Sequence, residues 1–454
     1  MTEIGLLSTL EQTELVRSGE LSSRELTEHF IERIERLDPE INAVVTRDFE
    51  VALKEADDAD EQRQKGKSVG ALHGIPITVK DALETRNLRS TGGAIELRDN
   101  VPDRDAAVVA SLRKEGAIVM GKTNLPRWSG DIQSYNEIFG TTNNPWDLSR
   151  GPGGSSGGAA AAVAMGFTSF EIGTDIGGSI RFPAAFNGIW GHKPSFGVIP
   201  TTGYLDHPKG GLNEADINVF GPLARSSTDL DFLLDIMQRN SPPWIPQLQD
   251  PPADPEKLRV GAWLDDLFCP VDQEVRAHLE KVVNELESHG ISIDRSARPQ
   301  IDPEEAAMLG LWLVQRAISQ STDSDGPGHR IWLDRHVRRE EIRLKWAKFF
   351  DDYDAIIMPV SFVPPFEHQQ DGDFANRTLV CNGQTRNYVD LVKWTTMVGM
   401  AYLPSTVPPT GIGPSGLPIG CQVVGAYGSD KLTISLAGRI GELMGDYQPP
   451  PRAQ

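Results

Sequence analysis

The sequence is poor in cysteine, in basic charge and in long apolar runs. Its 454 residues hold three cysteines, Cys269, Cys381 and Cys421. They are odd in number and far apart, which excludes a disulfide framework and a Cys-x-x-Cys metal knuckle. No apolar run approaches the ~18 residues of a membrane-spanning helix. Met1 to Glu14 has neither a basic stretch nor an apolar core, so no signal peptide is read there. Lys and Arg total 44 against 64 Asp and Glu, a net charge of −20. So acidic a chain repels nucleic acid and anionic lipid. The excess is spread along the sequence, as in Glu55–Glu61, and reads as solubilising rather than as an interaction tail. What is present is a hydrophobic fraction of 39%, enough to bury a large core. The expectation is a cytoplasmic globular enzyme.

Along the chain, Ser22 and Glu25 make an S-x-x-E capping box. Leu26, Phe30, Ile31, Ile34 and Leu37 then recur at helical spacing. The β-branched run ending at Lys80 reads as a buried strand entering a loop. Asp105–Gly116 reads as a helix and Ala117–Met120 as a strand. A Gly-rich stretch, Gly151–Gly158, precedes the small-residue segment Ala159–Met165, which should be a closely packed helix. A second Gly-rich turn, Gly173–Arg181, follows. Strand and helix signals continue to alternate, so the predicted fold class is α/β with a mixed, largely buried sheet. Asn240–Pro255 holds six prolines and reads as a linker or excursion. After it come a strand at Leu258–Trp263, an amphipathic helix at Asp272–His289 and a charged helical region over 300–350. Strands return at Ala355–Val360 and Pro418–Gly425.

Gly116-Ala-Ile-Val-Met-Gly121-Lys122-Thr123 fits the phosphate-loop pattern, but its middle residues are apolar and strand-like. Asn124-Leu-Pro126 also resists a helix after the lysine, so a strand and turn is the better reading. The two Gly-rich turns are different, because each carries serine. Ser179 follows Gly177-Gly178, and successive amides over residues 176–179 can converge beside its hydroxyl, as an oxyanion hole requires. A serine nucleophile needs a base. None of the nine histidines lies in a recognisable base motif, and His192 reads as structural. A lysine serves where burial disfavours its ammonium, and Lys80 closes an apolar run where a solvated lysine is out of place.

Together these residues resemble the amidase signature family. Gly153-Gly-Ser-Ser-Gly-Gly158, Gly173-Thr-Asp-Ile-Gly-Gly-Ser-Ile-Arg181 and Leu72-His-Gly-Ile-Pro-Ile-Thr-Val-Lys-Asp81 are similar to its three signature segments. Further matches, among them Asn144-Pro-Trp-Asp147 and Gly416-Leu-Pro-Ile-Gly420, extend the resemblance over most of the chain. It is weakest across 240–350. The resemblance implies one domain over residues 1–454, with a helix-rich excursion at about 240–350. Its fold would be a large mixed sheet with helices on both faces. It implies Ser179 as the acyl-forming nucleophile, Ser155 as a bridging serine after a cis peptide bond, and Lys80 as the base acting through Ser155. It makes the amides of Ile176, Gly177, Gly178 and Ser179 the oxyanion hole, supported by Ser156, Thr174, Asp175 and Arg181. The segment Trp128-Ser-Gly130-Asp131-Ile132-Gln133 would line the pocket. Tyr204 and Leu205, in the Gly203–Asn213 loop, would lie over it as part of a lid.

The function implied is hydrolysis of a C–N bond in an amide, anilide or aryl carbamate, with Trp128, Tyr204 and Leu205 pointing to an apolar or aromatic substrate. The alternative is the glutamine-hydrolysing component of a tRNA-dependent amidotransferase. In that subfamily the nucleophile segment reads S-I-R-Q-P, whereas here Phe182 follows Arg181, and the net charge of −20 opposes tRNA contact. No cofactor and no metal are expected. The partner is a small-molecule amide or carbamate, with no nucleic acid and no membrane. Oligomeric state is open, and a homodimer is one assembly the sequence permits.

Overall fold

The computed structural model describes residues 3–67, 70–205, 211–212, 214–238, 247–251, 257–318 and 326–454. Most of the proline-rich stretch at 240–255 and of the 203–213 loop lies outside these residues.

Sixteen described strands follow in chain order: β1 (Val44–Arg47), β2 (Pro76–Lys80), β3 (Ile118–Thr123), β4 (Tyr135–Asn136), β5 (Gly140–Thr141), β6 (Glu171–Asp175), β7 (Trp190–Lys193) and β8 (Val219–Ala224), then β9 (Arg259–Ala262), β10 (Ser292–Asp294), β11 (Ala355–Pro359), β12 (Thr378–Cys381), β13 (Gln384–Asn387), β14 (Ser405–Val407), β15 (Pro409–Ile412) and β16 (Pro418–Gly425). Nine of them form one mixed sheet in the order β10-β9-β11-β16-β14-β7-β8-β6, with β15 paired to β16. β9 and β10, which belong to the 240–350 region, join the edge of this sheet, and β9 runs parallel to β11. A three-stranded sheet, β1-β3-β2, carries Lys80 at the end of β2. The fold is the mixed α/β architecture expected.

β11 and β16 are buried along their whole length. That explains their continuous apolar sequence, since a strand covered on both faces has no polar side to alternate. Successive side chains on a strand point to opposite faces. A Cβ on Gly191 would press on Ala184 of the helix Arg181–Asn187, whereas neighbouring His192 bonds Thr406 and Asp430 at the start of the helix Asp430–Met444. Gly420 and Gly425 on β16 divide the same way, the first facing Ala185 and the second Ser429 and Thr433. The sheet therefore lies between helices on both faces, and His192 has the structural role read from sequence.

The capping box at Ser22 and Glu25 is present at the head of the helix Ser23–Ile41. The small-residue segment forms the helix Gly157–Ala164, buried at every residue. Its glycines are required by approach: a Cβ on Gly158 would lie 2.5 Å from the Asn124 backbone. The helix read at Asp105–Gly116 is Ala107–Lys114. Among the described residues, no helix is long and apolar enough to cross a membrane.

Candidate functional site

Three segments converge where the two sheets meet. β2 delivers Lys80 at its C-terminal end, the turn before the helix Gly157–Ala164 delivers Ser155 and Ser156, and β6 runs through Thr174 and Asp175 into the turn that carries Ser179. Lys80 is fully buried. Its Nζ is 2.7 Å from Ser155 Oγ, 3.0 Å from Ser156 Oγ and 2.7 Å from Thr174 Oγ1. The Gly154–Ser155 peptide bond is cis. Gly154 has no room for a side chain, because a Cβ would lie 2.6 Å from the backbone of Ile132 and Gln133.

The two serines of the first turn differ in what remains open to them. Ser156 Oγ donates to Thr174 O at 3.3 Å and accepts the Thr174 amide at 3.2 Å, which ties the turn to β6. Ser155 Oγ has Lys80 as its one hydrogen-bond partner among the described residues, which leaves a position for a second. Ser179 is 9% exposed, and its carbonyl accepts the Ser156 amide at 3.3 Å. No hydrogen bond links Ser155 Oγ to Ser179 Oγ among the described residues. The structure thus joins Lys80 directly to Ser155 and brings Ser179 beside them through the backbone.

Asp175 shapes the turn. Its carboxylate accepts the Gly178 amide at 2.8 Å and the Ile180 amide at 3.2 Å, and it pairs with Arg181 through Nε at 3.0 Å and Nη2 at 2.9 Å. Both side chains are fully buried. Burial works to raise the Asp175 carboxyl, but the Arg181 charge and hydrogen bonds outweigh it and hold the group below the usual carboxylate range. The Gly178 amide is thereby occupied. Of the four amides read from sequence as oxyanion donors, those of Ile176, Gly177 and Ser179 are without a protein acceptor among the described residues. Gly178 itself has φ +125°, and a Cβ there would overlap the Phe182 ring.

The segment 128–133 divides. Gly130 and Asp131 line a cavity of about 480 Å³ with Tyr135, Phe374 and Arg377. Asp131 is held by Tyr388 and the Ile132 amide on one oxygen and by Arg377 and Tyr135 on the other. Gln133 is buried in a two-bond clasp with the Gln369 backbone. Ile132 is buried, and half-buried Trp128 is absent from the cavity wall. Tyr204 is also buried, with its hydroxyl 3.5 Å from Thr174 Oγ1, and Leu205 is anchored by its amide to Ala82 O. Residues 206–210 and 213 of the expected lid lie outside the described residues.

Sequence reading missed several participants. Glu171 lies under the lysine, and its carboxylate accepts the Lys80 amide at 3.2 Å, the Ile172 amide at 2.7 Å and the Thr123 hydroxyl at 2.7 Å. Burial pushes it up to about 7. Thr395 and Gln422 accept from Arg181 Nη1, and Arg377 anchors Asp131 from 246 residues away. Nothing local marks these residues, because each acts through a partner distant in sequence. The phosphate-loop pattern is resolved as a strand that runs on through Gly121 and Lys122, further than expected. Lys122 Nζ is buried and donates to Leu83 O at 2.6 Å and Thr85 Oγ1 at 2.7 Å. Among the described residues, no group of three or more His, Cys, Asp or Glu is placed to hold a metal ion.

The family model Amidase matches residues 25–330 and 319–434. The chain belongs to the amidase family. As an amidase-signature hydrolase it acts on amide C–N bonds. It is 30% identical to an indoleacetamide hydrolase of Bradyrhizobium diazoefficiens, over 95% of this chain and 86% of that protein. It is 31% identical to a glutamyl-tRNA(Gln) amidotransferase subunit of Moorella thermoacetica, over 93% of each. Among solved structures it is similar to a bacterial aryl acylamidase of the amidase signature family, with TM-score 0.79 and 25% identity over 96% of each chain.

Proposed function

We propose that this amidase is a stand-alone hydrolase of anilides or aryl carbamates that works through a Ser179–Ser155–Lys80 relay. The observation that carries the reading is the 2.7 Å contact of buried Lys80 Nζ with a Ser155 hydroxyl that has one position left open. Neutral Lys80 accepts the proton of Ser155, and Ser155 accepts that of Ser179. Catalytic hydrogen bonds commonly tighten only with substrate in place, and the Ser155–Ser179 bond of the relay would form at that point. Ser179 Oγ attacks the carbonyl carbon, and the oxyanion is received by the amides of Ile176, Gly177 and Ser179. On collapse the C–N bond breaks, and the proton returns along the relay to the leaving nitrogen. Water then cleaves the acyl-enzyme by the same base. With a carbamate the acyl-enzyme is a carbonate ester, and its hydrolysis gives a carbonic half-ester that breaks down to CO₂ and the alcohol or phenol. The reading takes residues 1–454 as one catalytic domain acting in the cytoplasm on a small molecule, without nucleic acid or membrane.

Similarity to the amidotransferase protein favours a second reading, release of ammonia from glutamine within a complex. Phe182, in place of the glutamine of S-I-R-Q-P, supports the stand-alone hydrolase. A panel of p-nitroanilides, primary amides, aryl carbamates and glutamine, assayed with the wild type and Ser179→Ala, tests both. Turnover of an anilide or carbamate that Ser179→Ala abolishes without loss of fold is the expected result. Full activity in that variant overturns the nucleophile assignment, and glutamine as the one substrate cleaved overturns the substrate class.

A further inference from the structure

We propose that Thr395 is a positioning residue of the oxyanion hole, acting through the carbonyl of Gly177. The inference rests on the hydrolase reading above and concerns what aims its donors. The peptide unit between Gly177 and Gly178 is held at both ends. Its N–H, on Gly178, donates to Asp175 Oδ1 at 2.8 Å, and its C=O, on Gly177, accepts the Thr395 hydroxyl at 2.6 Å. A peptide unit is planar, so fixing its donor and its acceptor fixes the plane. The plane sets ψ of Gly177 and φ of Gly178, the torsions that stand between the Gly177 amide and the Ser179 amide. Neither glycine has a side chain to restrain those torsions, and the backbone of glycine is the most permissive of all residues. The restraint has to come from outside the turn.

Thr395 is built to supply it. It is fully buried on the helix Lys393–Gly399. Its hydroxyl carries one hydrogen and faces two acceptors, Gly177 O at 2.6 Å and Val392 O at 3.0 Å. The second is the usual bond of a helical threonine to its own preceding turn. The shorter contact is the one to the nucleophile turn. The main chain of the same residue grips the other side of the clamp, since Thr395 O accepts Arg181 Nη1 at 2.9 Å and Arg181 holds Asp175. One residue thus reaches both ends of the peptide whose orientation aims the neighbouring amides, and its hydroxyl bonds none of Lys80, Ser155 or Ser179.

The test compares Thr395→Val, which keeps the shape and loses the hydroxyl, with Thr395→Ser, which keeps the hydroxyl. Both are made in the full chain and assayed on the p-nitroanilide or aryl carbamate cleaved fastest by the wild type. Removing an oxyanion donor outright costs about 10²- to 10³-fold in kcat, and a donor that is misaimed loses part of that. Thr395→Val should lower kcat about 10-fold with KM within about twofold. A trifluoromethyl ketone that mimics the tetrahedral state should bind about 10-fold more weakly, by the same factor as kcat/KM. Thr395→Ser should restore both. If Thr395→Val does not fold, Thr395→Ala against Thr395→Ser gives the same comparison. Wild-type kcat in the hydroxyl-less variant, or a loss confined to KM, overturns the proposal. Ser179→Ala in the same assay separates the two levels. If that variant is active, the assignment of Ser179 as nucleophile fails, and the proposal with it. If it is inactive while Thr395→Val is unimpaired, only the role of Thr395 fails.

Discussion

Replacing Asp175 by asparagine changes one atom and should unsettle the whole nucleophile turn. Five donors converge on this carboxylate: the amides of Gly178, Ile180 and Arg181, and Arg181 Nε and Nη2. An asparagine keeps most of them by leaving its oxygen at the Oδ2 position. Its NH₂ then faces the Gly178 amide and Arg181 Nη2, donor against donor, in a fully buried site. A buried donor left unsatisfied costs about 1–3 kcal/mol, and a buried charge stripped of its partner about 3–5 kcal/mol. The two overlap here, because Arg181 retains Thr395 O and Gln422 Oε1 as acceptors. The expected loss is therefore about 3–5 kcal/mol rather than the sum. It is measured by urea unfolding followed through tryptophan fluorescence, as a fall in midpoint at constant slope. Asp175→Asn combined with Arg181→Gln should cost less than the two single changes added. The sign with pH follows from the depressed carboxyl. Its contribution is present above the ordinary carboxylate range and lost as pH falls through the lower folded value, so the variant should show a shallower acid limb. A loss under about 1 kcal/mol, or strict additivity in the double variant, would refute the reading of this pair as the buried clamp of the turn.

Lys80→Ala should leave a folded protein with turnover reduced at least ~10³-fold across neutral pH, since the base of the relay is gone. Hydrolysis of the panel's best substrate, with unfolding midpoints alongside, decides it, and a loss under tenfold would remove Lys80 from the relay. Glu171 is raised to about 7 by burial, so the folded protein holds a proton there that the unfolded chain releases near the ordinary carboxylate range. That contribution is complete at low pH and declines as pH rises from about 4.5 through about 7, by up to about 3 kcal/mol. Glu171→Gln mimics the protonated form and can still bond Thr123. Its unfolding free energy should vary less between pH 5 and pH 8 than that of the wild type. Parallel profiles would show that Glu171 is already ionised at the lower pH.

Much of the architecture was legible because local rules and tertiary demands agree. The capping box at Ser22 and Glu25, the apolar run that ends at Lys80 and the small-residue helix after Ser156 each carry a signal within a few residues. Tertiary packing then satisfies what each one offers. The boundaries that moved did so for physical reasons. β3 continues through Gly121 and Lys122 because β2 and β1 pair with it there, a partnership that apolar content does not record. Trp128 reads as a pocket aromatic by type; it is half-buried and its backbone is left-handed at φ 52°, a conformation that residue type does not record.

The sequence by itself determined the candidate reactive groups and the order of the turns that carry them. Two serine-bearing glycine turns, and a lysine where solvent should not reach, can be read from residue type and spacing because both follow from backbone permissiveness and the cost of burying charge. Only the tertiary structure decided which amides remain available around Ser179 and what holds them. Those answers depend on Asp175 meeting Arg181, on Arg181 meeting Gln422 241 residues away, and on Thr395 meeting Gly177 218 residues away. Hydrogen bonds of that kind have no local periodicity. They come into being when the nine-stranded sheet and its helices bring distant donors and acceptors into one dry interior, where an unmet partner is too costly to leave.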